Sequence, residues 1–527
     1  MLVMVRNTRE NCDILLVGYE TEENIGLRSI ASFLKSRGLK VSIEPYESSN
    51  KEDILKRIIK ERPKLICFSL IFQAMLPDFA DLICYLRNNG VRAHFNMGGH
   101  FPTIEYEETL KLINGLDTVV RHEGEFTLYE LFQRLDQPES WSEIQGIAFI
   151  RNGSLVVTTP RPLIEDLDSL PFIERNYCSQ VYKGLGISSM LASRGCYYDC
   201  SFCSIQTFYG SAPGPRRRSR SPTNVALEMK ILFNHGIRIF SFKDDDFGMK
   251  TKSQQNWIET FSEELKKREI FKNILWRISC RADEVDVEML RKLKEVGLGY
   301  LYMGIESGSV QGLKTANKHY TVGDVFHTLT VLQDLDLNFE YGFMLFDPYS
   351  TFNSIKENLA FLREICKGGR CVAHFTKMMP YAGTKIAQIL KNEDRLCGDI
   401  VSPNYSYKDT RINLLERFFS NTLRDTIFSE NGIVNLLQFA QFESVVLEKF
   451  FSNKFDTQTY SKSVKNLTNR CNESTLETMN LAVNFMEKLS YEEILLNWEI
   501  LEMLSQQELN IQKDIKEKVK NLNPIEL

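Results

Sequence analysis

Short apolar runs alternate with amphipathic stretches along the first part of the chain. The apolar run at 14–17 is followed by a helical pattern at 25–37 and by a second apolar run at 41–43. Further apolar runs lie at 65–69, 94–97 and 119–120. Apolar runs separated by helical patterns predict buried parallel strands joined by crossover helices. We therefore expect a doubly wound parallel sheet over roughly residues 10–138, within a first domain spanning 1–138.

The stretch at 139–186 interrupts this alternation. It contains a hairpin-like pattern at 146–157 and then three prolines, Pro160, Pro162 and Pro171. Prolines and turn residues between two patterned segments favour a connector over a further hydrophobic core. We therefore interpret 139–186 as a linker between two domains.

A second alternation fills residues 187–395. Its apolar runs lie at 187–191, 237–242, 275–279, 299–304, 341–346 and 371–376. Strand patterns separated by helices again predict an α/β fold, here six or so parallel strands curled into a partial or complete barrel. Over 396–527 the strand pattern fades and amphipathic helical patterns replace it, which predicts a helical C-terminal region.

Composition and charge narrow the class of protein. Because one hydrophobic core rarely grows beyond about 300 residues, the 527-residue chain is expected to form several domains. The net charge of -5 argues against general nucleic-acid binding. No apolar stretch reaches the length of about 18 residues that a membrane span needs, and residues 1–13 lack the core of a secretory signal. We expect a cytoplasmic protein without a membrane span or a nucleic-acid partner.

Three of the twelve cysteines form one tight group. Cys196, Cys200 and Cys203 have the spacing CxxxCxxC directly after the apolar run at 187–191. Thiolates at this spacing suit an iron–sulfur cluster, and three ligands leave one iron of a four-iron cluster open to a small molecule. A structural zinc ion would need a fourth ligand, but the loop has no histidine and Cys178 lies far upstream. The spacing therefore favours a cluster.

The cysteine loop and four later segments resemble the radical S-adenosylmethionine (SAM) superfamily. The loop lies at 193–203, and the later segments lie at 218–225, 244–247, 304–308 and 380–384. Their order is similar to that of the motifs in the cobalamin-binding branch of this superfamily. The resemblance covers roughly residues 10–395, and it implies a Rossmann-like N-terminal domain followed by a partial (β/α)6 radical SAM barrel.

The resemblance also implies roles for residues of the barrel. The three cysteines would hold a 4Fe–4S cluster, and Phe202 would pack near the adenine of SAM. Arg281 and Glu306 are candidates for polar contacts to its methionyl carboxylate and ribose, although such residues at strand ends also serve as caps or salt-bridge partners. The acidic run at 244–246 is either a site for a hydroxyl group or basic substrate or an acidic turn without function.

The first domain resembles the cobalamin-binding modules of the same branch. Gly98, Gly99, Glu123 and Gly124 stand at the carboxyl ends of predicted strands, where doubly wound sheets bind their ligands. Glycine there lets the backbone approach a flat corrin closely. These four residues are therefore candidates for cobalamin binding.

A histidine ligand to cobalt is not expected in this chain. The segment at 18–26, which follows the first strand, has no histidine where some cobalamin proteins supply one. The radical branch commonly lacks this ligand, so its absence does not exclude cobalamin. His100 and His122 are then contacts to the corrin or, more often for such residues, structural histidines.

Together the two cofactors imply methyl transfer to an unactivated carbon. By the resemblance, a 5'-deoxyadenosyl radical removes hydrogen, methylcobalamin delivers the methyl group, and a second SAM remethylates the cobalt. An external one-electron donor such as flavodoxin or ferredoxin would supply the electron. The alternatives are a cobalamin-dependent cyclase or rearrangement enzyme, a methylthiotransferase-like enzyme, and a non-catalytic iron–sulfur or cobalamin sensor.

The expected substrate is a small molecule or a peptide. Residues 342–348 replace the glycine-rich turn of many relatives, so Asp347 is a candidate for facing the substrate. The helical region after residue 396 is long enough to shape a pocket or to dock a peptide.

Overall fold

The first half of the fold is a seven-stranded sheet wrapped by helices. A computed structural model describes residues 12–175 and 181–522, so Cys178 lies outside the described residues. The strands of the sheet are β1 (Ile14–Gly18), β2 (Val41–Pro45), β3 (Leu65–Ser69), β4 (His94–Gly98), β5 (Thr118–Val120), β6 (Ile147–Arg151) and β7 (Ser154–Val157). Its helices are α1 (Ile25–Ser36), α2 (Lys51–Glu61), α3 (Leu76–Asn88), α4 (His100–Ile104), α5 (Tyr106–Leu112) and α6 (Gly124–Gln133).

The strand order of this sheet is β2-β1-β3-β4-β5-β6-β7. The first five strands pair in parallel, which confirms the predicted doubly wound sheet. Every residue of β1 is buried, because helices cover both faces of the sheet. The carboxyl ends of β1, β3, β4 and β5 therefore meet at one edge.

The connector predicted at 139–186 needs a correction. Its hairpin, β6 and β7, pairs antiparallel with β5 and extends the N-terminal sheet. Ala148 and Phe149 of β6 are buried in that sheet, which explains why the hairpin joins it. The first sheet thus ends at Val157, later than the predicted boundary at residue 138.

The second half of the fold is a curled sheet. Its segment of the chain contains β8 (Val181–Tyr182), β9 (Leu185–Met190), β10 (Ser193–Arg194), β11 (Arg218–Ser219), β12 (Ile237–Phe242), β13 (Leu275–Arg281), β14 (Leu298–Glu306), β15 (Asn338–Phe346) and β16 (Thr376–Lys377). Its helices are α7 (Ile205–Gly210), α8 (Pro222–Asn234), α9 (Lys252–Lys267), α10 (Val287–Glu295), α11 (Val310–Thr315), α12 (Val322–Asp334), α13 (Phe352–Ile365) and α14 (Lys385–Asn392).

The order of the second sheet is β16-β15-β14-β13-β12-β9-β8. The six strands from β9 to β16 are parallel, as predicted, and β8 adds an antiparallel edge. β10 and β11 form a separate short ribbon beside the cysteine loop. The last strand is shorter than the predicted run at 371–376, because only Thr376 and Lys377 pair with β15.

The remaining chain is a short hairpin and a group of helices. It consists of β17 (Leu396–Gly398), β18 (Pro403–Tyr405), α15 (Thr410–Phe428), α16 (Ile433–Phe451), α17 (Thr457–Met486), α18 (Tyr491–Leu496) and α19 (Trp498–Lys520). This confirms the predicted helical C-terminal region. Within residues 12–175 and 181–522, no helix combines the length and the apolar character needed to cross a membrane.

Helix α16 closes one end of the barrel. Val446 of α16 is fully buried against Ile239 and Leu275, which stand near the amino ends of β12 and β13. Ile187 of β9 packs against the same cluster. The barrel is therefore sealed by apolar contacts at its amino end, and the carboxyl ends of its strands form the end where ligands can enter.

We predict that Val446→Ala lowers the free energy of unfolding by about 2 kcal/mol, because it removes two buried methyl groups and leaves a cavity in the barrel floor. Urea unfolding followed by circular dichroism measures this loss. Glu448→Ala, at an exposed position of the same helix, is the control and should change stability by less than about 0.5 kcal/mol. Equal stabilities of the two variants would contradict the conclusion that α16 closes the amino end of the barrel.

Candidate active site between the two sheets

A cavity of about 870 Å³ lies between the N-terminal sheet and the barrel. One wall consists of residues at the carboxyl edge of the N-terminal sheet, including Ser69, Gly98 and Val120. The opposite wall is formed by residues that follow the barrel strands β9 and β12, among them Leu191 and Asp245. Because the carboxyl ends of both sheets face this space, a ligand held there contacts both halves of the protein.

Three of the four predicted cobalamin contacts are glycines, and all three line the cavity: Gly98, Gly99 and Gly124. Gly99 has a φ of +112°, and a Cβ atom there would lie 2.2 Å from the carbonyl oxygen of Leu70. No larger residue fits at this position. The glycine therefore allows the chain after β4 to pass close to the backbone of Leu70 at the cavity wall.

The two histidines of the cavity wall are uncharged. Burial lowers the pKa of His100 to about 4, and burial also lowers the pKa of His122. Nδ1 of His122 lies 2.8 Å from the carbonyl oxygen of Phe208, so Nδ1 carries the proton because a carbonyl only accepts. The ring of His100 packs 4.4 Å from that of Phe208. Neutral imidazoles in a largely apolar wall fit a large organic cofactor.

A buried ion network joins the N-terminal sheet to the cysteine loop. Arg194, two residues before Cys196, donates hydrogen bonds to Glu123 (2.9 Å), Glu125 (2.7 Å) and Ser29 (2.9 Å). Arg218 binds the other oxygen of Glu123 at 2.8 Å. Glu123, a candidate cobalamin contact, thus lies in the cavity wall with both carboxylate oxygens engaged.

The pKa of Glu125 reports the strength of this network. Burial alone would raise the pKa of a carboxyl group, and the side chain of Glu125 is only 3% exposed. The guanidinium of Arg194 outweighs that effect and holds the pKa of Glu125 below its usual value. Glu125 is therefore ionised at neutral pH and remains paired with Arg194.

The three cysteines lie on a loop held by its own backbone contacts. All three thiols are free and partly exposed. Gly195, directly before Cys196, has a φ of +82°, and a Cβ atom there would lie 1.8 Å from the carbonyl oxygen of Arg216. The loop consequently requires glycine at this turn.

The acidic run at 244–246 holds this loop. Asp244 accepts hydrogen bonds from the Ala192 amide and the Ser193 hydroxyl, and Asp245 accepts one from the Gly195 amide at 2.8 Å. Burial raises the pKa of Asp245 to about 6. Asp244 therefore positions the chain before the cysteine loop, whereas Asp245 also lines the cavity, so a substrate-binding role of 244–246 stays a prediction.

The predicted SAM contacts converge beside the cysteine loop. Arg281 Nη1 lies 3.5 Å from Cys200 Sγ, and its guanidinium is 3.7 Å from the centre of the Tyr198 ring. Glu306 pairs with Lys318 at 3.0 Å, and the Lys318 ammonium lies 5.5 Å from the centre of the Phe202 ring.

Two features of this group were not predicted from the sequence. Lys318 is buried and follows α11 rather than a strand, so no strand-end pattern marks it. Glu306 has a φ of +66°, a strained conformation for a residue with a side chain. Such strain costs roughly 1 kcal/mol or more and is concentrated at functional sites. The side chains therefore form a charged pocket of fixed geometry next to the thiols.

Burial affects two of the three thiols of the cysteine loop. No three His, Cys, Asp or Glu side chains in the described part of the chain converge as the ligands of one metal ion would. Burial raises the pKa of Cys203 to about 11, and it raises that of Cys196 further, with added repulsion from Asp246. Thiols in this setting ionise when they bind iron, and the adjacent Arg281 stabilises the resulting negative charge.

Asp347 does not face the substrate space. It is 2% exposed, and its carboxylate accepts a hydrogen bond from the Tyr349 amide at 2.8 Å. Its own amide donates to Ser350 Oγ at 2.8 Å. Asp347 therefore stabilises the turn after β15, which corrects the expectation from the sequence.

Comparison with known families agrees with this geometry. The B12 binding domain matches residues 12–132, and the Radical SAM superfamily matches residues 190–362. The chain is a radical SAM enzyme with a cobalamin-binding domain. The predicted cofactors, a 4Fe–4S cluster, SAM and cobalamin, are thereby confirmed.

Individual proteins similar to this radical SAM enzyme include an uncharacterized methyltransferase of Pyrococcus horikoshii. It is 27% identical over 367 residues, which cover 69% of this chain and 77% of that protein. The anaerobic magnesium-protoporphyrin IX monomethyl ester cyclase of Cereibacter sphaeroides is 28% identical over 271 residues, covering 50% of this chain and 43% of the cyclase.

A solved structure shares the whole architecture. The cobalamin-dependent SAM radical enzyme OxsB, with aqua-cobalamin and SAM bound, superposes with a TM-score of 0.70 at 17% identity. The alignment covers 98% of this chain and 85% of OxsB. The fold of OxsB therefore extends through the helical C-terminal region of this radical SAM enzyme.

We predict that Arg194→Gln lowers the free energy of unfolding by about 3–5 kcal/mol at neutral pH, because it leaves Glu125 buried without its cation. In the variant, burial raises the pKa of Glu125 above the unfolded value, so stability falls as pH rises. In the wild type the pKa is lowered, and this contribution disappears only at acid pH. The urea unfolding midpoints of Arg194→Gln and the wild type should therefore differ more at pH 7.5 than at pH 5.

The double variant Arg194→Gln, Glu125→Gln is the control for that pH dependence. It lacks the titrating carboxyl group, so its stability relative to the wild type should change little between the two pH values. A stability difference between Arg194→Gln and the wild type that is the same at both pH values would contradict the network as described.

Proposed function

We propose that this protein is a cobalamin-dependent radical SAM methyltransferase that acts on an unactivated carbon of a small biosynthetic intermediate. The observation that carries the proposal is the shared cavity. Its walls come from the carboxyl edge of the cobalamin-binding sheet and from residues that flank the cysteine loop, such as Leu191, Arg194 and Asp245. A methyl donor in the first domain and a radical generated in the second can therefore reach the same substrate.

In this proposal Cys196, Cys200 and Cys203 hold the cluster, and Arg281 and the Glu306–Lys318 pair bind the polar groups of SAM. Phe202 packs near the adenine. When bound, the cluster and SAM supply a carbon-centred radical that removes hydrogen, and cobalamin supplies the methyl group.

The chain's own residues orient these groups and exclude water. Gly98, Gly99 and Gly124 provide the surface for the corrin, and Glu123 supports that surface through its ion pairs with Arg194 and Arg218. The buried network fixes the cysteine loop relative to the N-terminal sheet. This fixed separation limits side reactions of a radical, because the reacting groups meet in a sheltered space.

The second candidate function is a cobalamin-dependent cyclisation or rearrangement without methyl transfer. The similarity to the magnesium-protoporphyrin cyclase favours it. Methyl transfer has more support, because the match to the Pyrococcus methyltransferase covers 77% of that protein and the match to the cyclase covers 43%.

The proposed reaction requires an electron donor and a substrate. A one-electron donor of the flavodoxin or ferredoxin type reduces the cluster, and the substrate is a small molecule. We place the enzyme in the cytoplasm, where thiols stay reduced, without a nucleic-acid partner.

We predict that Cys200→Ala abolishes the cluster absorbance and lowers 5'-deoxyadenosine formation to background, because two thiolates no longer suffice to hold the cluster. Anaerobic reconstitution with iron and sulfide, then reduction in the presence of SAM, measures both. Cobalamin retention should be unchanged, since Cys200 lies outside the cavity wall. Cys397→Ala, at an exposed cysteine, is the control and should behave as the wild type. Full deoxyadenosine formation by Cys200→Ala would refute the assignment.

We predict that Gly26→Trp weakens cobalamin retention at least about tenfold while leaving the cluster intact. Gly26 lines the cavity, and a Cβ atom there meets only Asn24 Oδ1 at 3.5 Å, so a larger side chain extends into the cavity. Corrin absorbance after gel filtration measures retention.

Gly323→Trp is a matched control for this substitution. Gly323 is also exposed, is also the second residue of a helix, and its Cβ atom would also meet only a capping side chain, Thr321 Oγ1, at 3.5 Å. It lies in α12, outside the cavity wall, so cobalamin retention should match that of the wild type. Equal losses in both variants would point to general destabilisation instead.

A further inference from the structure

Alternate residues of the barrel strands face the barrel lumen. In β13, Trp276, Ile278 and Cys280 belong to the hydrophobic core around the barrel. Side chains of a strand point to opposite faces in turn, so Arg277 and Arg281 face inward. The same alternation in β14 and β15 turns the even-numbered residues from 300 to 304 and from 338 to 342 inward.

Arg277 is an unsatisfied cation in this lumen. Its guanidinium donates no hydrogen bond to any residue in the described ranges, and its Nε is buried without a partner. Its single ion pair is loose, with Nη1 3.7 Å from Glu340 Oε2. Arg281, on the same strand, instead binds Asp283 at 2.9 Å and the Lys318 carbonyl oxygen. Five N–H donors without a hydrogen bond are unusual for a partly buried guanidinium.

Glu340 does not satisfy Arg277. A separation of 3.7 Å exceeds the distance of a hydrogen bond, and the other oxygen of Glu340 accepts from the Tyr300 hydroxyl at 3.3 Å. The side chain of Arg277 is 29% exposed, so its free donors are accessible to a ligand. An anionic group in the lumen would provide the acceptors that Glu340 does not.

Polar side chains lie between Arg277 and the pocket beside the cysteine loop. Gly304 and Gly342, adjacent to Arg281 in register, leave room for the side chains of Glu306 and Tyr302. Tyr302 is 36% exposed, and its hydroxyl makes no hydrogen bond to a described residue. A Cβ atom at Gly342 would lie 2.7 Å from that hydroxyl, so the glycine is needed to accommodate the tyrosine. Tyr302 is opposite Ser279 in register, midway between Arg277 and Arg281 along the strand.

We propose that Arg277 binds an anionic group of the substrate, a carboxylate or a phosphate, inside the barrel. The proposal deepens the function proposed above and rests on it. A strand rises about 3.3 Å per residue, so Arg277 and Arg281 stand roughly 13 Å apart. A substrate held at Arg277 that reaches the pocket beside Cys200 is therefore a small anionic metabolite. Its charged end lies deep in the lumen, and its reacting end lies near the cofactors.

Isothermal titration of the reconstituted holoenzyme with sodium acetate and with inorganic phosphate tests this assignment. At least one anion should bind the wild type, and Arg277→Gln should weaken that binding at least about tenfold, because hydrogen bonds to a charged group are lost. Arg277→Lys keeps the charge but not the fork of donors, so it should bind more weakly than the wild type and more tightly than Arg277→Gln. The anion that binds more tightly identifies the group as carboxylate or phosphate.

Glu340→Gln separates a binding site from a structural ion pair. It removes the carboxylate that faces Arg277, so the proposal predicts tighter anion binding. Arg291→Gln, at an exposed arginine of α10, is the control and should bind as the wild type. Absence of binding by both anions, or equal affinity of the wild type and Arg277→Gln, would overturn the proposal.

The same wild-type preparation is assayed for 5'-deoxyadenosine on reduction with SAM. This assay distinguishes failure of the proposed anion site from failure of the proposed reaction. Deoxyadenosine formation without Arg277-dependent anion binding refutes the substrate class alone. Arg277-dependent anion binding without deoxyadenosine or S-adenosylhomocysteine, from a protein with an intact cluster, refutes the proposed reaction and leaves the anion site in place.

Discussion

The ion network around Arg194 is the interaction on which the arrangement of the two halves depends. Arg194 lies within the short ribbon that leads into the cysteine loop, and its partners Glu123 and Glu125 stand at the start of α6, which follows β5 of the N-terminal sheet. Removing charges from water is costly, so such a network persists only where its geometry is fixed. The cysteine loop and the edge of the N-terminal sheet are therefore held at one separation, and the cavity between them keeps its shape.

The barrel has two chemically different ends. Apolar side chains of α16 close the amino end around Val446. Toward the carboxyl end the lumen becomes polar, first at Arg277 and Glu340 and then at Arg281, Glu306 and Lys318. In the proposed function, a small substrate that enters from the cavity contacts the charged pocket first and Arg277 deeper in the lumen. The apolar amino end of the barrel limits how far it can enter.

Much of this fold follows from local pattern. Continuous apolar runs identified β1 and β3 because these strands are buried on both faces. The spacing of the cysteines identified their loop without any knowledge of the fold. The hairpin at 147–157 was assigned to a connector, because its pairing with β5 is a tertiary contact that a local pattern does not record.

The roles of single charged residues were harder to predict. Asp244 and Asp245 resemble a substrate site in the sequence, yet they accept hydrogen bonds from backbone amides of a distant loop. Lys318 and Arg277 stand out only when their surroundings are known, the first by its pairing with Glu306 and the second by its missing partners.

The most direct test of the proposed reaction is to reconstitute the enzyme anaerobically with iron, sulfide and hydroxocobalamin, reduce it with SAM, and quantify both SAM-derived products. Methyl transfer predicts 5'-deoxyadenosine together with S-adenosylhomocysteine, whereas 5'-deoxyadenosine without S-adenosylhomocysteine from a cobalamin-loaded protein would contradict it.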